Sequence, residues 1–259
     1  MIPYYDFSKS LFDIPFINKG IHVFGILVVI GVFLGMTIAN WKADKNKLDK
    51  DKLSSMMTVI LIGGFVMAHL FDVILYHFDN FIQNPLIIFN LLSGISSFGG
   101  IFGGLLSVLI YTKIYKLNAL EYIDTIVFAL PFAWFFGRLG CAAVHDHPGI
   151  ETNFFLGIKF PDGIVRHDLG LYEAIFLFFV VILFTLLRNK NFKTGTYSII
   201  LCLLYSPVRF YFDSLRAVDV RYFGLTPGEY SSIIIFIIGL YLLKTIYYPS
   251  NKNKLDIKN

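Results

Sequence analysis

Long apolar segments alternate with short polar ones along almost the whole chain. A helix that crosses a bilayer needs about 20 mostly apolar residues. Segments near this length cover residues of about 20–40, 56–76, 97–115, 119–141, 171–188, 196–214 and 229–248. None shows the alternation of a strand, and backbone groups in lipid must satisfy their own hydrogen bonds. The pattern therefore predicts an all-α polytopic membrane protein with about seven transmembrane helices.

Composition agrees with a membrane protein. The 259 residues are 56% hydrophobic and 15% charged, with a mean hydropathy of +0.67, whereas soluble domains carry about 25% charged residues. The net charge of +4 is too small for a nucleic-acid surface. Cys141 and Cys202 lie in or beside apolar runs, which argues against a disulfide framework or a zinc cluster. The N-terminal MIPYYDFSKSLFDIPF lacks a basic region, so we expect no cleavable signal peptide.

The positive charges predict an orientation. Most of the 22 Lys and Arg residues follow the first, third and fifth spans or lie at the C-terminal end. Because such residues stay in the cytoplasm, we predict an extracytoplasmic N-terminus and a cytoplasmic C-terminus, with 1–259 forming a single integral membrane domain. Residues 1–19 and 145–170 are then extracytoplasmic, and 41–55 and 249–259 cytoplasmic. Gly, Pro and Asp in 145–170 favour short hairpins or a small ordered cap.

Several ionisable residues interrupt the apolar spans, where each costs about 2.5–3.5 kcal/mol. They are His69, Asp72, Arg138, Glu173, Arg209 and Asp213. Structural ion pairs between helices would account for some of them, and Arg209 and Asp213, four residues apart, share a helix face. Two guanidinium groups at one depth repel each other unless an anion separates them, and Arg binds phosphate through paired N–H donors. We therefore predict that Arg138 and Arg209 hold an anionic lipid headgroup near the outer leaflet.

The end of the fourth span, GRLGCAAVHDHPG (residues 137–149), is rich in reactive side chains. His145 and His147 flank Asp146 at the expected water interface. The three could bind a metal ion, accept a proton or cap a helix end. Because no further Cys or His lies nearby with zinc spacing, we predict no metal site. Cys141 fits a small buried thiol in a Gly-rich packing site better than it fits a nucleophile.

The segment GISSFGGIFGGLLS (residues 94–107) is a Gly-rich entry to the third span. Small residues allow helices, or a ligand, to approach the backbone closely. We expect Gly103 and Gly104 to serve helix packing. At Gly99 and Gly100 a backbone contact with lipid is the alternative.

Together these motifs resemble the bacterial phosphatidylglycerol–prolipoprotein diacylglyceryl transferases, in the right order and over almost the whole chain. The stretch 137–149 is similar to the family signature G-R-x-G-N-F-x-N-x-E-x-x-G. The residues in register are Gly137, Arg138, Gly140 and Gly149, with Asp146 at the acidic position. RHDLGLYEA (166–174) resembles RHPSQLYEA. RFYFDSLR (209–216) resembles R-F-x-x-E-x-x-R, and GLTPGE (224–229) resembles G-L-T-x-G-Q.

The resemblance implies a seven-span enzyme of the bacterial cytoplasmic (inner) membrane, acting in the first step of lipoprotein maturation. Such an enzyme transfers a diacylglyceryl group from phosphatidylglycerol to the lipobox Cys thiol of a prolipoprotein and releases glycerol phosphate. Its partners are phosphatidylglycerol and the prolipoprotein signal peptide; no nucleic acid and no cofactor are implied, and we expect a monomer. The catalytic candidates are Arg138, Arg209, His145, His147 and Asp146. The candidates for binding phosphatidylglycerol are Arg138, Arg209, Gly99, Gly100, Gly140, Gly149, Glu173, Asp213 and Arg216.

Three departures from the family pattern indicate a divergent member. The family motif S-F-H-G-G carries a His proposed as essential; the matching segment here is SSFGG, with Gly99 in that place. Cys141 replaces the signature Asn, and Phe24 replaces a Tyr of the first span. His145 or His147 could supply the missing base, with Asp146 orienting it, and Asp213 could orient Arg209 or Arg216. The alternatives are a non-catalytic phospholipid-binding protein and, less well supported because no matched broken helices are visible, a solute transporter.

Overall fold

The computed structural model describes residues 1–14, 19–90, 94 and 96–249, so the predicted cytoplasmic residues 250–259 lie outside the described part. Helices dominate this part of the chain. They are α1 (Val23–Lys45), α2 (Lys50–Tyr76), α3 (Phe78–Gln83), α4 (Ser97–Ile114), α5 (Ala119–Val144), α6 (Leu169–Leu187), α7 (Thr196–Ser214) and α8 (Pro227–Tyr247), with a 3-10 turn at Pro85–Phe89 after α3. The prediction of a helical polytopic membrane protein is confirmed.

Among the described residues, five helices are long and apolar enough to cross a bilayer. They are α1, α2, α5, α6 and α8. The apolar part of α4, Gly99–Ile114, is shorter. Helix α7 carries Arg209 and Asp213 among Ser and Tyr residues, which lower its mean hydropathy. The count of seven spans therefore stays a prediction.

Helix ends differ from the predicted boundaries where polar side chains cap the backbone. Residues 41–55, predicted to be cytoplasmic, lie between the first two predicted spans, but α1 continues to Lys45 and α2 already begins at Lys50. The Asp49 side chain accepts hydrogen bonds from the amides of Asp51 (3.0 Å) and Lys52 (3.1 Å). Such N-caps satisfy amides that the helix itself leaves free. The charged stretch between the first two apolar segments is therefore mostly helical.

Short strands form the predicted small cap. They are β1 (Ile2–Pro3), β2 (Phe12–Ile14), β3 (Lys19–Ile21), β4 (Pro148–Glu151), β5 (Ile158–Lys159) and β6 (Val165–Asp168). One sheet has the order β1-β5-β6-β4, with β1 parallel to β5 and the other pairs antiparallel, while β2 and β3 form an antiparallel pair. The predicted hairpins in 145–170 are thus present, and the N-terminal segment completes their sheet.

The chain divides into two compact units, one comprising Met1–Ala39 and Ile126–Asn259 and the other Asn40–Thr125; the single-domain assignment stays a prediction. In the first unit, α5, α6 and α7 share a buried apolar core. Its members are Phe128, Val180, Phe184, Tyr197, Leu201 and Tyr205. This core fixes the three helices that carry Arg138, Glu173 and Arg209.

In the second unit, α2 and α4 pack through glycines. A Cβ on Gly103 would lie 2.5 Å from the carbonyl oxygen of Gly63, and one on Gly99 would lie 2.4 Å from that of Met67. No side chain fits at these distances, so the expected packing role of Gly103 is confirmed. Gly99 packs against α2 in the same way, and that side of its backbone has no room for lipid. Gly100 and Gly104 have looser surroundings, with nearest neighbours at 3.7 and 3.5 Å.

Two of the predicted intramembrane polar residues lie in this second unit. His69 is 1% exposed, and its ring nitrogens lie 3.0 Å from the carbonyl oxygen of Ile88 and 3.3 Å from that of Gly94. Asp72 lies 3.2 Å from Nδ1 of His77. These contacts tie α2 to the segment that follows it, which favours the structural explanation for both residues.

Candidate functional site

Two arginines from different helices converge on one carboxylate in the first unit. Arg138 near the end of α5 places Nε 3.1 Å from Oε1 of Glu173, which lies in the first turns of α6. Arg209 of α7 donates from Nη1 to Oε2 of the same carboxylate at 2.8 Å. Glu173 is 1% exposed, and the Tyr205 hydroxyl donates to its Oε1. The convergence predicted from the sequence is present, and the anion that separates the two guanidinium groups is Glu173.

Arg138 retains unused hydrogen-bonding capacity although it is 7% exposed. Its Nε makes no hydrogen bond within the described residues, so the contact with Glu173 is ionic and poorly aligned. Its Nη1 lies 3.9 Å from the Cys141 sulfur, a weak contact. Buried donors without a partner cost free energy in folded proteins. The arrangement therefore suits a further acceptor that is supplied by a ligand.

Arg209 is held from its other side by Asp213. Arg209 Nη2 lies 2.8 Å from Oδ1 of Asp213, and the Thr226 hydroxyl donates to Oδ2 at 3.2 Å. A Cβ on Gly228 would lie 1.5 Å from that oxygen, so only glycine leaves room for the carboxylate. Thr226 and Glu229 also form the capping box that begins α8. The GLTPGE segment thus supports Asp213, and Asp213 orients Arg209 as predicted.

A close crossing of α5 and α6 brings Glu173 to Arg138. A Cβ on Gly170 would lie 2.9 Å from the Ala142 amide nitrogen and 3.0 Å from the Cys141 side chain. Helix α6 can approach α5 this closely because residue 170 has no side chain. Asp168 begins the helix by accepting from the Leu171 amide at 2.8 Å. Gly170 and Asp168 therefore position the start of α6 so that the Glu173 carboxylate lies beside Arg138.

The surroundings of His145 do not fit its predicted role as a base. Its Nδ1 lies 2.6 Å from Oδ2 of Asp168 and its Nε2 lies 3.2 Å from the carbonyl oxygen of Tyr5. The ring packs 4.5 Å from Tyr4 and 5.9 Å from Phe160, between ring centroids. Both nitrogens are engaged, so neither is free for a substrate proton. The residue anchors the N-terminal segment to the cap.

Replacing His145 with Ala should release the N-terminal segment. The change removes both hydrogen bonds, each worth about 0.5–1.5 kcal/mol. The Ala that remains keeps the φ of +50° without any contact to the cap that compensates for it. Limited proteolysis should cut within residues 1–20 faster than in the unaltered protein. His147→Ala is the matched control and should leave the cleavage rate unchanged. Equal rates in all three proteins would contradict the anchoring role.

His147 and Asp146 instead form an isolated pair beside Cys141. The His147 Nδ1 contacts Oδ1 of Asp146, as predicted for an oriented imidazole, and its Nε2 has no partner within the described residues. The ligand-type atoms of Cys141, Asp146 and His147 lie within 4.8 Å of one another. Spacing along the sequence did not predict this contact, because Cys141 belongs to the last turn of α5 and the other two follow the helix end.

Asp146 faces a cavity of about 530 Å³ at the beginning of α1 and the end of α5. Its walls include Ser8, His22, Phe24 and Val144. Phe24 also explains the signature glycine, since a Cβ on Gly140 would lie 2.9 Å from its ring. Phe24 and Cys141, two of the departures from the family pattern, therefore lie at one region of the molecule.

The remaining candidates for binding phosphatidylglycerol have other surroundings than the two arginines. Gly149 packs against the cap, where a Cβ would lie 2.8 Å from that of His167 and 2.9 Å from the Leu215 carbonyl oxygen. Arg216 pairs with Asp219 at 2.8 Å rather than with Asp213. Gly100 belongs to the second unit. The sequence assigned Gly149 and Arg216 to phospholipid binding. Their contacts in the structure are instead explained by the packing of the cap.

A second cavity, of about 510 Å³, lies beside the cap between α6 and α7. It is mostly lined by Phe, Tyr, Leu and Ile side chains, and His167 and Tyr172 supply its polar edge, with Nδ1 of His167 3.0 Å from the Tyr172 hydroxyl. Burial lowers the pKa of His167 below its ordinary value. The fold thus favours the neutral form of the imidazole.

This burial predicts a pH-dependent stability. An unfolded imidazole has a pKa of about 6.5, and the folded His167 has a lower one. As the pH falls below about 6.5, the unfolded state takes up a proton that the folded state resists, so the free energy of unfolding should decrease from pH 7 to pH 5. Thermal unfolding in detergent should show a shallower decrease in His167→Gln than in the unaltered protein. His22→Gln serves as the control and should keep the full decrease; an unchanged profile in His167→Gln would refute the prediction.

Sequence reasoning missed Tyr205, Asp168 and Gly170 as parts of this site. Tyr205 reads as one more aromatic residue of an apolar span, although its spacing of four residues from Arg209 places both on one helix face. Asp168 directly precedes an apolar run, which is the usual N-cap signal. Gly170 gave no signal, because a close helix crossing depends on the partner helix.

Known proteins match this chain over nearly its full length. A model of the prolipoprotein diacylglyceryl transferase family matches residues 9–245. A phosphatidylglycerol–prolipoprotein diacylglyceryl transferase of Clostridioides difficile is 31% identical over 235 residues, which is 90% of this chain and 93% of that protein. Enzymes of the same name from Rickettsia bellii and Campylobacter lari are 30% and 28% identical, covering 85% and 92% of this chain and 89% and 93% of their own. The family signature, the converging arginines and these matches agree: the chain belongs to the prolipoprotein diacylglyceryl transferase family.

Proposed function

We propose that this protein transfers a diacylglyceryl group from phosphatidylglycerol to the lipobox Cys thiol of prolipoproteins. The observation that supports this most is the buried Arg138–Glu173–Arg209 arrangement in a member of this family. The Nε of Arg138 makes no hydrogen bond within the described residues, although it pairs ionically with Glu173, and a guanidinium group matches the geometry of a phosphate. A phospholipid phosphate supplies the missing acceptor.

The two arginines act on the bond that breaks. The phosphate is the leaving group, and negative charge grows on its bridging oxygen as the glycerol C–O bond lengthens. Preorganised cations at that position lower the barrier, because their charge is already in place and water is excluded. Glu173, Tyr205 and Asp213 act as positioning residues that hold the two guanidinium groups at a fixed separation.

The incoming thiol must lose its proton, because the thiolate is the competent nucleophile. His147 is the better placed of the two predicted histidines, since Asp146 orients it and His145 is fully engaged in the cap. The cavity beside Asp146 offers the peptide a place next to this pair. The products are the thioether-linked precursor and glycerol phosphate, and the steps need no external cofactor.

Location follows from the same proposal. Transfer to exported precursors requires the Arg138 end of α5 to face the outer side of the bacterial cytoplasmic (inner) membrane. This corresponds to an extracytoplasmic N-terminus and a cytoplasmic C-terminus, in line with the distribution of Lys and Arg. We further propose that the protein acts as a monomer, since all the residues of the site come from one chain.

The proposal is tested by expressing the protein in bacteria depleted of their own transferase. The mass of a prolipoprotein precursor should rise by one diacylglyceryl group, and Arg138→Ala should abolish the rise. The opposite outcome is that no adduct forms in the cells while the protein purified from them in detergent carries bound phosphatidylglycerol. That outcome would support a non-catalytic phospholipid-binding protein. Membrane insertion of the variant is checked by its yield and melting temperature.

A further inference from the structure

The edge of β3 that is turned away from β2 carries backbone groups without a partner among the described residues, beside the cavity that holds Asp146. We propose that an extended segment of the prolipoprotein acceptor binds there as an added strand, main chain to main chain. The inference rests on the proposed function and names how that function recognises its acceptor. The occupant is a peptide, recognised by its backbone amides rather than by one particular side chain.

Strand β3 is an edge strand. Within the described residues its single neighbour is β2, with Asp13 opposite Gly20. The carbonyl oxygen of Ile21 is turned towards β2, since it accepts from the Leu11 amide at 2.8 Å. Because the direction of the peptide groups alternates along a strand, the amide and the carbonyl group of Gly20 point to the opposite side. One donor and one acceptor are therefore open to a new strand.

This edge borders the cavity of about 530 Å³. Gly20, Ile21 and the following His22 all line the cavity, although successive side chains of a strand point to opposite faces. Three consecutive lining residues indicate that the cavity lies along the edge of the strand rather than over one of its faces. The volume is within the range of about 300–1,000 Å³ for ligand pockets. An added strand would pair over about three residues, or roughly 10 Å.

Two other strands of the cap have edges that suit a peptide less well. Strand β1 carries Pro3, and proline has no amide hydrogen to donate. Strand β4 is covered on the side away from β6, where the Ile150 amide donates to the Leu215 carbonyl oxygen at 2.8 Å and Gly149 pairs with Arg216. Strand β3 therefore offers the better edge, and it lies beside the proposed site.

The cavity is continuous with the proposed site of thiol activation. Asp146 lines the cavity and contacts the His147 ring, so a peptide on β3 brings its cysteine next to this pair. Ile21, Phe24 and Val144 form apolar walls. Ile21 is 41% and Phe24 36% exposed, which leaves apolar surface for the side chains beside that cysteine to cover.

Binding through the main chain fits a class of acceptors with different sequences, because every peptide has the same backbone. In recognition by strand addition, main-chain hydrogen bonds provide affinity and pockets for alternate side chains provide specificity. The geometry of β3 then predicts one sensitive amide in the peptide. This amide faces the carbonyl oxygen of Gly20, and the amides on either side of it are turned away.

N-methylation of the acceptor peptide, one amide at a time, tests this prediction. A fluorescein-labelled peptide that contains the lipobox cysteine is titrated with the full-length protein in detergent, and Kd is measured by fluorescence anisotropy. A methyl group removes the donor and blocks the approach of a strand. We expect one methylation to weaken binding at least about tenfold and its two neighbours to change Kd less than about threefold. Equal effects at all positions, or no binding of the unmodified peptide, overturn the inference.

Gly20→Pro removes the open amide from the protein side. Proline has no N–H and its ring obstructs the edge, so Kd for the unmodified peptide should rise at least about tenfold. Gly20→Ala is the matched control, since it keeps the amide, and it should bind within about threefold of the unaltered protein. Melting temperatures show whether both variants are folded. A folded Gly20→Pro that binds the peptide as tightly as Gly20→Ala contradicts the inference.

Adduct formation from phosphatidylglycerol separates this inference from the proposed function. An adduct on the unmodified peptide, without any sensitive amide, overturns strand addition and leaves the transferase function intact. A sensitive amide without any adduct overturns the transferase function and leaves the peptide-binding edge. If the cavity instead holds the donor lipid, Gly20→Pro weakens binding of phosphatidylglycerol while the methylation series stays flat, and the inference is wrong.

Discussion

Replacing Arg138 with Lys should lower kcat/KM for adduct formation by about 10²–10³-fold, the usual effect of removing one donor from a site of developing negative charge. Lys keeps the positive charge but has a single flexible ammonium group, so it cannot offer a planar pair of donors to a phosphate. It also cannot reach Glu173 and the ligand with a fixed geometry. The rate is measured with detergent-solubilised protein, phosphatidylglycerol and a lipobox peptide.

Arg188→Lys is the matched control for this experiment. Arg188 is an exposed residue that follows α6, at the end of the helix opposite Glu173, and its replacement should leave kcat/KM within about twofold. If Arg138→Lys were as active as the control, charge alone would suffice and the paired-donor explanation would be wrong. Arg209→Lys should lose activity as well, because Arg209 uses two of its nitrogens to contact Glu173 and Asp213.

Replacing Glu173 with Gln should destabilise the folded protein by about 3–5 kcal/mol, as expected when one partner of a buried ion pair is removed. Gln has nearly the same shape, and its oxygen can still accept from Tyr205. The change therefore removes the charge and puts an amide donor in place of the oxygen that accepts from Arg209. It leaves Arg138 and Arg209 buried without their shared anion, while Asp213 still opposes Arg209 alone. The loss is measured as the decrease in the free energy of unfolding, or as a fall in melting temperature.

Adding lipid to the Glu173→Gln variant tests whether the ligand of the two arginines is an anionic phospholipid. Phosphatidylglycerol should raise the melting temperature of Glu173→Gln more than that of the unaltered protein, because its phosphate supplies an anion to the uncovered guanidinium groups. Neutral diacylglycerol should give no such difference. Glu151→Gln, at an exposed position of β4, controls for the loss of a carboxylate and should match the unaltered protein. A stable Glu173→Gln variant with no lipid effect would show that Glu173 is not the shared counter-ion.

The separate fates of His145 and His147 show where the sequence leaves alternatives open. Two residues apart on either side of Asp146, they have the same chemistry and the same predicted exposure. The fold assigns them differently because Asp168 and the N-terminal segment reach His145, while His147 contacts Asp146. The partners of His145 come from distant parts of the chain, and spacing within one segment carries no information about them.

The assignments of glycines follow the same rule. Gly103 was correctly expected to pack, because small residues in a span indicate close helices in general. The neighbours of Gly99, Gly140 and Gly149 are Met67, Phe24 and His167, each from another element. A glycine that avoids a clash and a glycine that admits a ligand look identical in a sequence. The position of the missing Cβ relative to the partner backbone is what separates them.

The sequence by itself determined the helical membrane architecture and the two arginines. Both depend on local properties, which are the apolar length of a segment and the cost of a cation in lipid. Only the tertiary structure decided that Glu173 is the shared anion of the two arginines and that the Thr226 hydroxyl holds Asp213. These pairings arise where helices cross, and the crossing depends on how the buried core of α5, α6 and α7 packs, which no single segment encodes.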